Sequence, residues 1–211
     1  MDTNSMIITM FMVLCVFLCI NYFRRIQKNK KIQAEHIAKE EVKKEKYEHI
    51  TSSEFDEIPD EELTHAILYH IMHKEDMIYE SDDIDQELVD TLTTGEKYIY
   101  AIYQIENSIS TVRNGSIHTY FLEEPYKSYV PYVEEALKIV GCLEASKLME
   151  AAHHLATLIE EDREDDDDSE YSTYNFSDFT NAITTELRSS NIVKRMGDYI
   201  RSNKDDFIDK D

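Results

Sequence analysis

The sequence predicts an all-α fold, in which a compact domain of about six to eight helices follows one transmembrane helix and a helical stalk. Only 4 glycines and 3 prolines occur among 211 residues, and turn-rich β folds usually contain more of both. In several segments the apolar residues recur every three or four positions, which is the helical period. An uncharged apolar run lies near the N-terminus, ahead of a highly charged stretch.

Composition divides the chain into four segments. A short tail (1–5) precedes a transmembrane anchor (6–23), a charged helical stalk or linker (24–50) and an acidic helical domain (51–211). The anchor reads MIITMFMVLCVFLCINYF and carries no charge. As a helix it would span about 27 Å, close to the hydrocarbon thickness of a bilayer.

The charges beside the anchor predict its orientation. Arg24, Arg25 and Lys28 follow the apolar run, whereas Asp2 is the only charged residue before it. By the positive-inside rule, the C-terminal side then faces the cytoplasm. We therefore expect a single-pass protein of the cell inner membrane with a cytoplasmic C-terminal domain. The alternative is a signal sequence of unusual charge, which would put the domain outside.

The spacing of apolar residues and the signals for helix starts and ends predict the helices of the acidic domain. The predicted helices begin at Asp60, cover 85–92, run from Thr93 or Thr94 to the break at Asn114-Gly115, extend from Pro131 to Gly141, and cover 143–159, 178–187 and 192–207, with a short apolar run at 117–122.

Two local features refine these helices. Thr93 or Thr94 is expected to cap the helix that has Glu96 in its first turn, and Ser177 is expected to cap the helix 178–187. In the last helix, Val193 is expected to face inward together with Met196, Tyr199 and Ile200.

The domain 51–211 is strongly acidic. It contains 13 Lys/Arg and 38 Asp/Glu, a net charge of −25. Such a field repels nucleic acid and anionic headgroups and attracts basic protein surfaces. The charge excludes direct DNA binding and favours a basic protein as the partner.

The acids are concentrated in clusters. Six lie in 54–62, eight lie in 75–90, and the densest run covers 160–170. An EF-hand needs a central glycine, which the densest run lacks. It is either a solvated, self-repelling loop or part of a negative surface for a basic partner. The predicted partner-binding residues are Glu160, Glu161, Asp162, Glu164, Asp165, Asp166, Asp167, Asp168, Asp82, Asp83 and Asp85.

Catalytic signatures are absent from the sequence. It contains no GxSxG, P-loop, GxGxxG or HExxH motif. His70 and His73 have the i,i+3 spacing of a metal pair, but zinc needs three or four protein ligands. We expect these histidines to be partly exposed helix residues. The sequence predicts no enzyme, no metal and no cofactor.

A resemblance to a known family covers roughly Glu61 to Phe207. The segment around Asn114, Gly115, Tyr120 and Phe121 resembles the signature N-G-G-F-x-Q-[YF]-F of a bacterial family of unknown function that includes a DNA-mimic protein. Ser116, Ile117 and Thr119 depart from that signature. The residues themselves allow a simpler reading, in which Asn114-Gly115 is a turn and the two aromatics are core residues.

The resemblance implies an all-helical domain whose carboxylates stand in for DNA phosphates. We therefore expect a membrane-anchored acidic interaction module that binds a basic or DNA-binding protein. The alternative is a membrane-tethered structural domain whose acidity only provides solubility.

Overall fold

The computed structural model describes most of the acidic domain and little of the chain before it. The described residues are 22, 28, 30–31, 41–78, 84–110, 116–165 and 176–209, and for 161–165 only the helical backbone is described. Two compact units are present, Met1–Glu45 and Lys46–Asp211. In the first unit, residues 41–45 are helical. The second unit begins five residues before the sequence-based boundary, because Tyr47 and Ile50 are buried.

The predicted membrane anchor lies outside the described residues except for Tyr22. Arg24 and Arg25 also lie outside them, and Lys28 is exposed and helical. None of the described helices is long and apolar enough to cross a bilayer. The anchor at 6–23 therefore stays a prediction.

The regular elements among the described residues of the second unit are all helices. Its elements are α1 (Ser52–Glu57), α2 (Asp60–Met77), α3 (Ile84–Thr91), α4 (Thr94–Ser110), α5 (Ile117–Leu122), a 3₁₀ turn (Tyr126–Tyr129), α6 (Val130–Ile139), α7 (Leu143–Asp165), α8 (Ser177–Ser189), α9 (Ile192–Ser202) and a second 3₁₀ turn (Lys204–Asp206). The all-α prediction is confirmed for this unit. The nine α-helices of its described part exceed the upper end of the predicted range by one. The short α1 was not recognised, and α5 was predicted only as a short apolar run.

Helix α4 organises the core. It packs against α6, α5, α2 and the first 3₁₀ turn. Its buried residues Ile99, Ile102 and Ile105 recur at the helical spacing that the sequence shows. A second set of contacts pairs α2 with α9 and places α7 between α6 and α8. The amphipathic pattern thus predicted the core face of α4 correctly.

Local chemistry sets several helix ends. The Glu96 N–H donates to Thr93 Oγ1 at 3.2 Å, and the Thr93 N–H donates to Glu96 Oε2 at 2.9 Å. This reciprocal capping box starts α4, so Thr93 is the cap. After α6, Gly141 has a φ of +79°, which a residue with a Cβ rarely adopts. Both ends were predicted.

Four predicted details were wrong. Helix α7 continues six residues past Ile159. Phe176 occupies the cap position of α8, so Ser177 is already inside its first turn. Helix α9 ends at Ser202, because the chain tightens into the second 3₁₀ turn before Phe207. Val193 is 45% exposed rather than inward.

Arg201 on α9 joins the two ends of the domain. Its guanidinium donates to the carbonyl oxygens of Phe55 (3.0 Å) and Ile58 (2.7 Å) and to Asp60 Oδ1 (2.7 and 3.0 Å). Asp60 is largely exposed, so the ion pair itself contributes little. The two carbonyl contacts matter more, because they hold the connection between α1 and α2 against α9.

We expect Arg201→Met to lower stability by about 2 kcal/mol, since it removes these donors and keeps the apolar stem. For a domain of this size the melting temperature should fall by roughly 6 °C in thermal unfolding of the full chain. Lys194→Met is the control, because it removes only the exposed pair with Asp198. Equal melting temperatures for the two variants would contradict the role given to Arg201.

Candidate functional site

The densest predicted acidic run lies at the C-terminal end of α7. Glu160 is exposed, and the backbone from 161 to 165 is helical. Asp166, Asp167 and Asp168 lie outside the described residues. The sequence alone allowed this run to be a solvated loop. Up to Asp165 it is helix.

The acids at this helix end are closely spaced. The stretch 160–165 holds five acids and Arg163, a net charge of −4. At a rise of about 1.5 Å per residue it extends over about 7.5 Å, or roughly one net charge per 1.9 Å. Duplex DNA carries about one charge per 1.7 Å of axis. The linear charge densities are therefore similar.

This charge opposes the helix that carries it. Glu160 with Glu164, and Glu161 with Asp165, are like-charged i,i+4 neighbours, each costing about 0.2–0.5 kcal/mol in a helix. Carboxylates at a helix C-terminus also lie against the negative end of the helix dipole. On this pattern the run is not expected to stabilise α7.

The second predicted acidic group is only partly described. Asp82 and Asp83 lie outside the described residues, and Asp85 is half-buried in the first turn of α3. Burial, and after it the carboxylates of Glu75 and Asp85, raises the pKa of Tyr129. The Tyr129 phenol therefore stays neutral near this acidic group.

The six acids in 54–62 serve mainly in internal contacts. Asp56 pairs with Lys204 at 2.7 Å and Asp60 with Arg201 at 2.7 Å. Glu62 Oε2 accepts a hydrogen bond from the Tyr47 hydroxyl at 3.0 Å. Glu54 forms a capping box with Thr51, and this hydrogen bonding lowers the pKa of Glu54.

Glu57 and Glu61 are the two acids of 54–62 without such an internal contact among the described residues. Within the described residues they are exposed and in no ion pair. The sequence-based count of six therefore overstates the charge that this cluster offers to a partner.

A buried polar cluster links α2, α4 and both ends of the domain. Glu96 is 1% exposed and accepts a hydrogen bond from Lys74 Nζ at 2.6 Å. His70 is 2% exposed, and its Nδ1 lies 3.0 Å from the Glu48 carbonyl oxygen. Since a carbonyl only accepts, Nδ1 donates and carries the proton. The Nε2 atom of His70 faces Glu96 Oε1 at 3.8 Å and Asp209 Oδ1 at 3.5 Å.

The prediction of a partly exposed His70 was wrong, since tertiary packing buries it against α4 and the two ends of the domain. His73 is less enclosed and lies 3.1 Å from Glu48 Oε1. Within the described residues, no group of three or more His, Cys, Asp or Glu has a geometry that could hold a metal ion.

His70 should make stability depend on pH. Burial, and after it Lys74, lowers the pKa of His70 below 6.5, although Asp209 and Glu96 oppose that shift. At neutral pH it is uncharged, so its approaches to these carboxylates are not ion pairs. The unfolded chain takes up the proton near pH 6.5, whereas the folded chain does so only at lower pH. The contribution of neutral His70 to the free energy of unfolding is therefore fully present above pH 6.5. It is lost as the pH falls toward the pKa of His70 in the folded chain.

We expect His70→Gln to remove this part of the pH dependence. The drop in melting temperature between pH 7.5 and pH 5.5 should be smaller in the variant than in the unmodified chain. His65→Gln is the control, because His65 is exposed on the same helix. An identical drop in the His70 variant and the unmodified chain would show that His70 does not titrate differently in the fold.

The two aromatic residues that match the family signature are core residues. Tyr120 is fully buried, and its hydroxyl donates to the Ala101 carbonyl oxygen at 3.0 Å. Phe121 is 5% exposed and stacks on the His153 ring with centroids 5.1 Å apart. Asn114 and Gly115 lie outside the described residues. Tyr120 and Phe121 therefore pack α5 against α4 and α7.

A comparison with protein families matches residues 90–203 to the family described as DMP19-like protein. This match covers more than half of the chain and extends from the end of α3 through α9 and one residue beyond it. The chain belongs to the DMP19-like family. No curated protein and no solved structure matches it. The matched region contains the acidic end of α7 and the two core aromatics, but not α1 and α2.

Proposed function

We propose that this DMP19-like chain is a protein-interaction module that presents carboxylates in place of DNA phosphates to a basic, DNA-binding protein. The observation that carries the proposal is the acidic end of α7. It combines a charge density close to that of a duplex with a helical position at which the charge costs stability. Membership of the DMP19-like family supports it independently.

We also propose a cellular location for the module. The uncharged segment 6–23, followed by Arg24, Arg25 and Lys28, supports an anchor in the cell inner membrane with the acidic domain in the cytoplasm. The partner and the DNA that it binds would then be accessible on the same side. The proposal contains no catalytic step, and the absence of an enzymatic activity stays a prediction.

One observation favours a second function, a membrane-tethered structural domain whose acidity only provides solubility. Four of the six acids in 54–62 serve internal contacts, so part of the acidity is not a binding face. This reading predicts that the position of the remaining acids does not matter.

A salt-graded capture experiment tests the proposed function. The full chain in a non-ionic detergent is immobilised, exposed to a lysate of its native cells and washed at about 50 to 500 mM NaCl, over which screening grows strongly. The captured proteins should have basic surfaces, leave as the salt rises and include DNA-binding proteins. Partners without basic surfaces, or partners retained unchanged at high salt, would contradict the proposal.

A further inference from the structure

An apolar groove lies where α2, α4, α8 and α9 meet. Helix α8 packs mainly on α7, α5 and α9, whereas α4 packs mainly on α6, α5 and α2, and both helices line the groove. The space between them has a volume of about 230 Å³. Its floor consists of the buried side chains Leu68, Ile102, Ile105 and Met196.

Val193 lies at the edge of this groove, and it also lines a second concavity. That concavity lies between α9 and the start of α2 and has a volume of about 430 Å³. Besides Val193, its lining includes Asp60, Glu61, Asp198 and the bases that neutralise two of these acids. The apolar groove and the polar concavity therefore adjoin at Val193, and the two together are called the joined groove.

Among the described residues, the charges left unpaired in this joined groove are two carboxylates and one guanidinium, one net negative charge. Arg201 neutralises Asp60, and Lys194 neutralises Asp198. Glu61 and Glu106 line the two parts and are in no ion pair within the described residues. Arg188 also lines the apolar part and has no ion-pair partner there.

We infer that the joined groove docks an amphipathic basic segment of the protein partner, with apolar side chains in the part next to α4 and a base over Glu61. This inference rests on the proposed function, since it concerns how the same basic partner is held. Charge complementarity selects the occupant. The unpaired carboxylates Glu61 and Glu106 and a domain of net charge −25 favour bases at the rims of the groove. Arg188 repels a basic side chain of the docked segment, so the bases of that segment should lie away from Arg188.

The apolar part gives the groove a role that the acidic surface cannot have. Electrostatic attraction between exposed charges is long-ranged and weakly directional, so it brings many basic proteins close. An apolar anchor in a concave site binds only where its shape fits, and grooves of this kind receive one face of an amphipathic helix. The groove would therefore provide the selectivity and the acids the attraction.

Two synthetic peptides and the full chain in detergent test this inference. One peptide of about 18 leucine and lysine residues, long enough to be helical, has its leucines on one face, and the second is a scrambled sequence of the same composition. Fluorescence anisotropy at low salt should show about tenfold tighter binding of the amphipathic peptide. Equal affinity for both would overturn the inference and leave the proposed electrostatic function standing. Binding of neither peptide would overturn both.

Matched variants locate the site. Val193→Asn should weaken binding of the amphipathic peptide about fivefold, because it removes an apolar contact at the edge of the groove. Leu158→Asn is the control on α7, with 46% exposure against 45% for Val193. Glu61→Gln should reduce the salt dependence of binding more than Glu150→Gln does, since both acids are exposed but only Glu61 lines the groove. Equal effects within each pair would overturn the assignment to this groove.

Discussion

Replacing the five acids that close α7 by their amides should weaken binding of the basic partner about thirtyfold. The variant changes Glu160, Glu161, Asp162, Glu164 and Asp165. An exposed ion pair contributes about 0.4 kcal/mol, so five of them contribute about 2 kcal/mol at low salt. The salt dependence of binding should become weaker as well, because fewer charges are screened. Affinity is measured by titration of the captured partner against the full chain.

A matched variant separates position from total charge. It changes five exposed acids that lie outside the α7 end and in no ion pair within the described residues, namely Glu57, Glu87, Glu123, Glu135 and Glu150. Both variants lose five charges, so a solubilising coat predicts equal losses of affinity. A binding surface on α7 predicts a large loss only for the α7 variant. The α7 variant should also melt slightly higher, because its like-charge repulsion is gone.

Glu96→Ala should produce the largest loss of stability, about 3 kcal/mol. The substitution removes a carboxylate that is 1% exposed, leaving Lys74 without its partner at 2.6 Å and the Thr93 N–H without its acceptor. Lys74 keeps 25% of its side chain exposed, so water offsets part of the loss. In thermal unfolding of the full chain, the melting temperature should fall by roughly 10 °C.

Glu96→Gln serves as the comparison for that variant. The amide oxygen can still accept from the Thr93 N–H, so the capping box is kept and only the charge is lost. Its stability should lie between those of Glu96→Ala and the unmodified chain. If Glu96→Ala melted within about 2 °C of the unmodified chain, the buried cluster would not hold α2 to α4.

The helices with a clear amphipathic pattern could be predicted from the sequence. The spacing of Ile99, Ile102 and Ile105 identified the core face of α4, and Thr93 with Glu96 identified its start. These features are local, because a helix period and a capping box involve residues within a few positions of one another. The exposure of Val193 was missed because it depends on how α9 packs against α2 and α8, which the helical period does not show.

The long-range polar contacts could not be predicted. Arg201 contacts residues more than 140 positions earlier in the chain, and His70 faces Asp209. No sequence pattern pairs such residues in a chain where acids are abundant. For the same reason, the count of acids in 54–62 did not indicate that most of them serve the fold. The composition identified the acid-rich run at the end of α7, but it did not predict that the run is helical up to Asp165.

Competition between the chain and DNA for the captured partner tests the central claim most directly. The partner is bound to labelled duplex DNA, and the full chain is added at low salt. We predict that the chain displaces the DNA and that no complex of all three forms. Displacement should fail for the α7 amide variant but not for its matched control. A stable complex of partner, DNA and chain would contradict the claim that these carboxylates occupy the DNA-binding face.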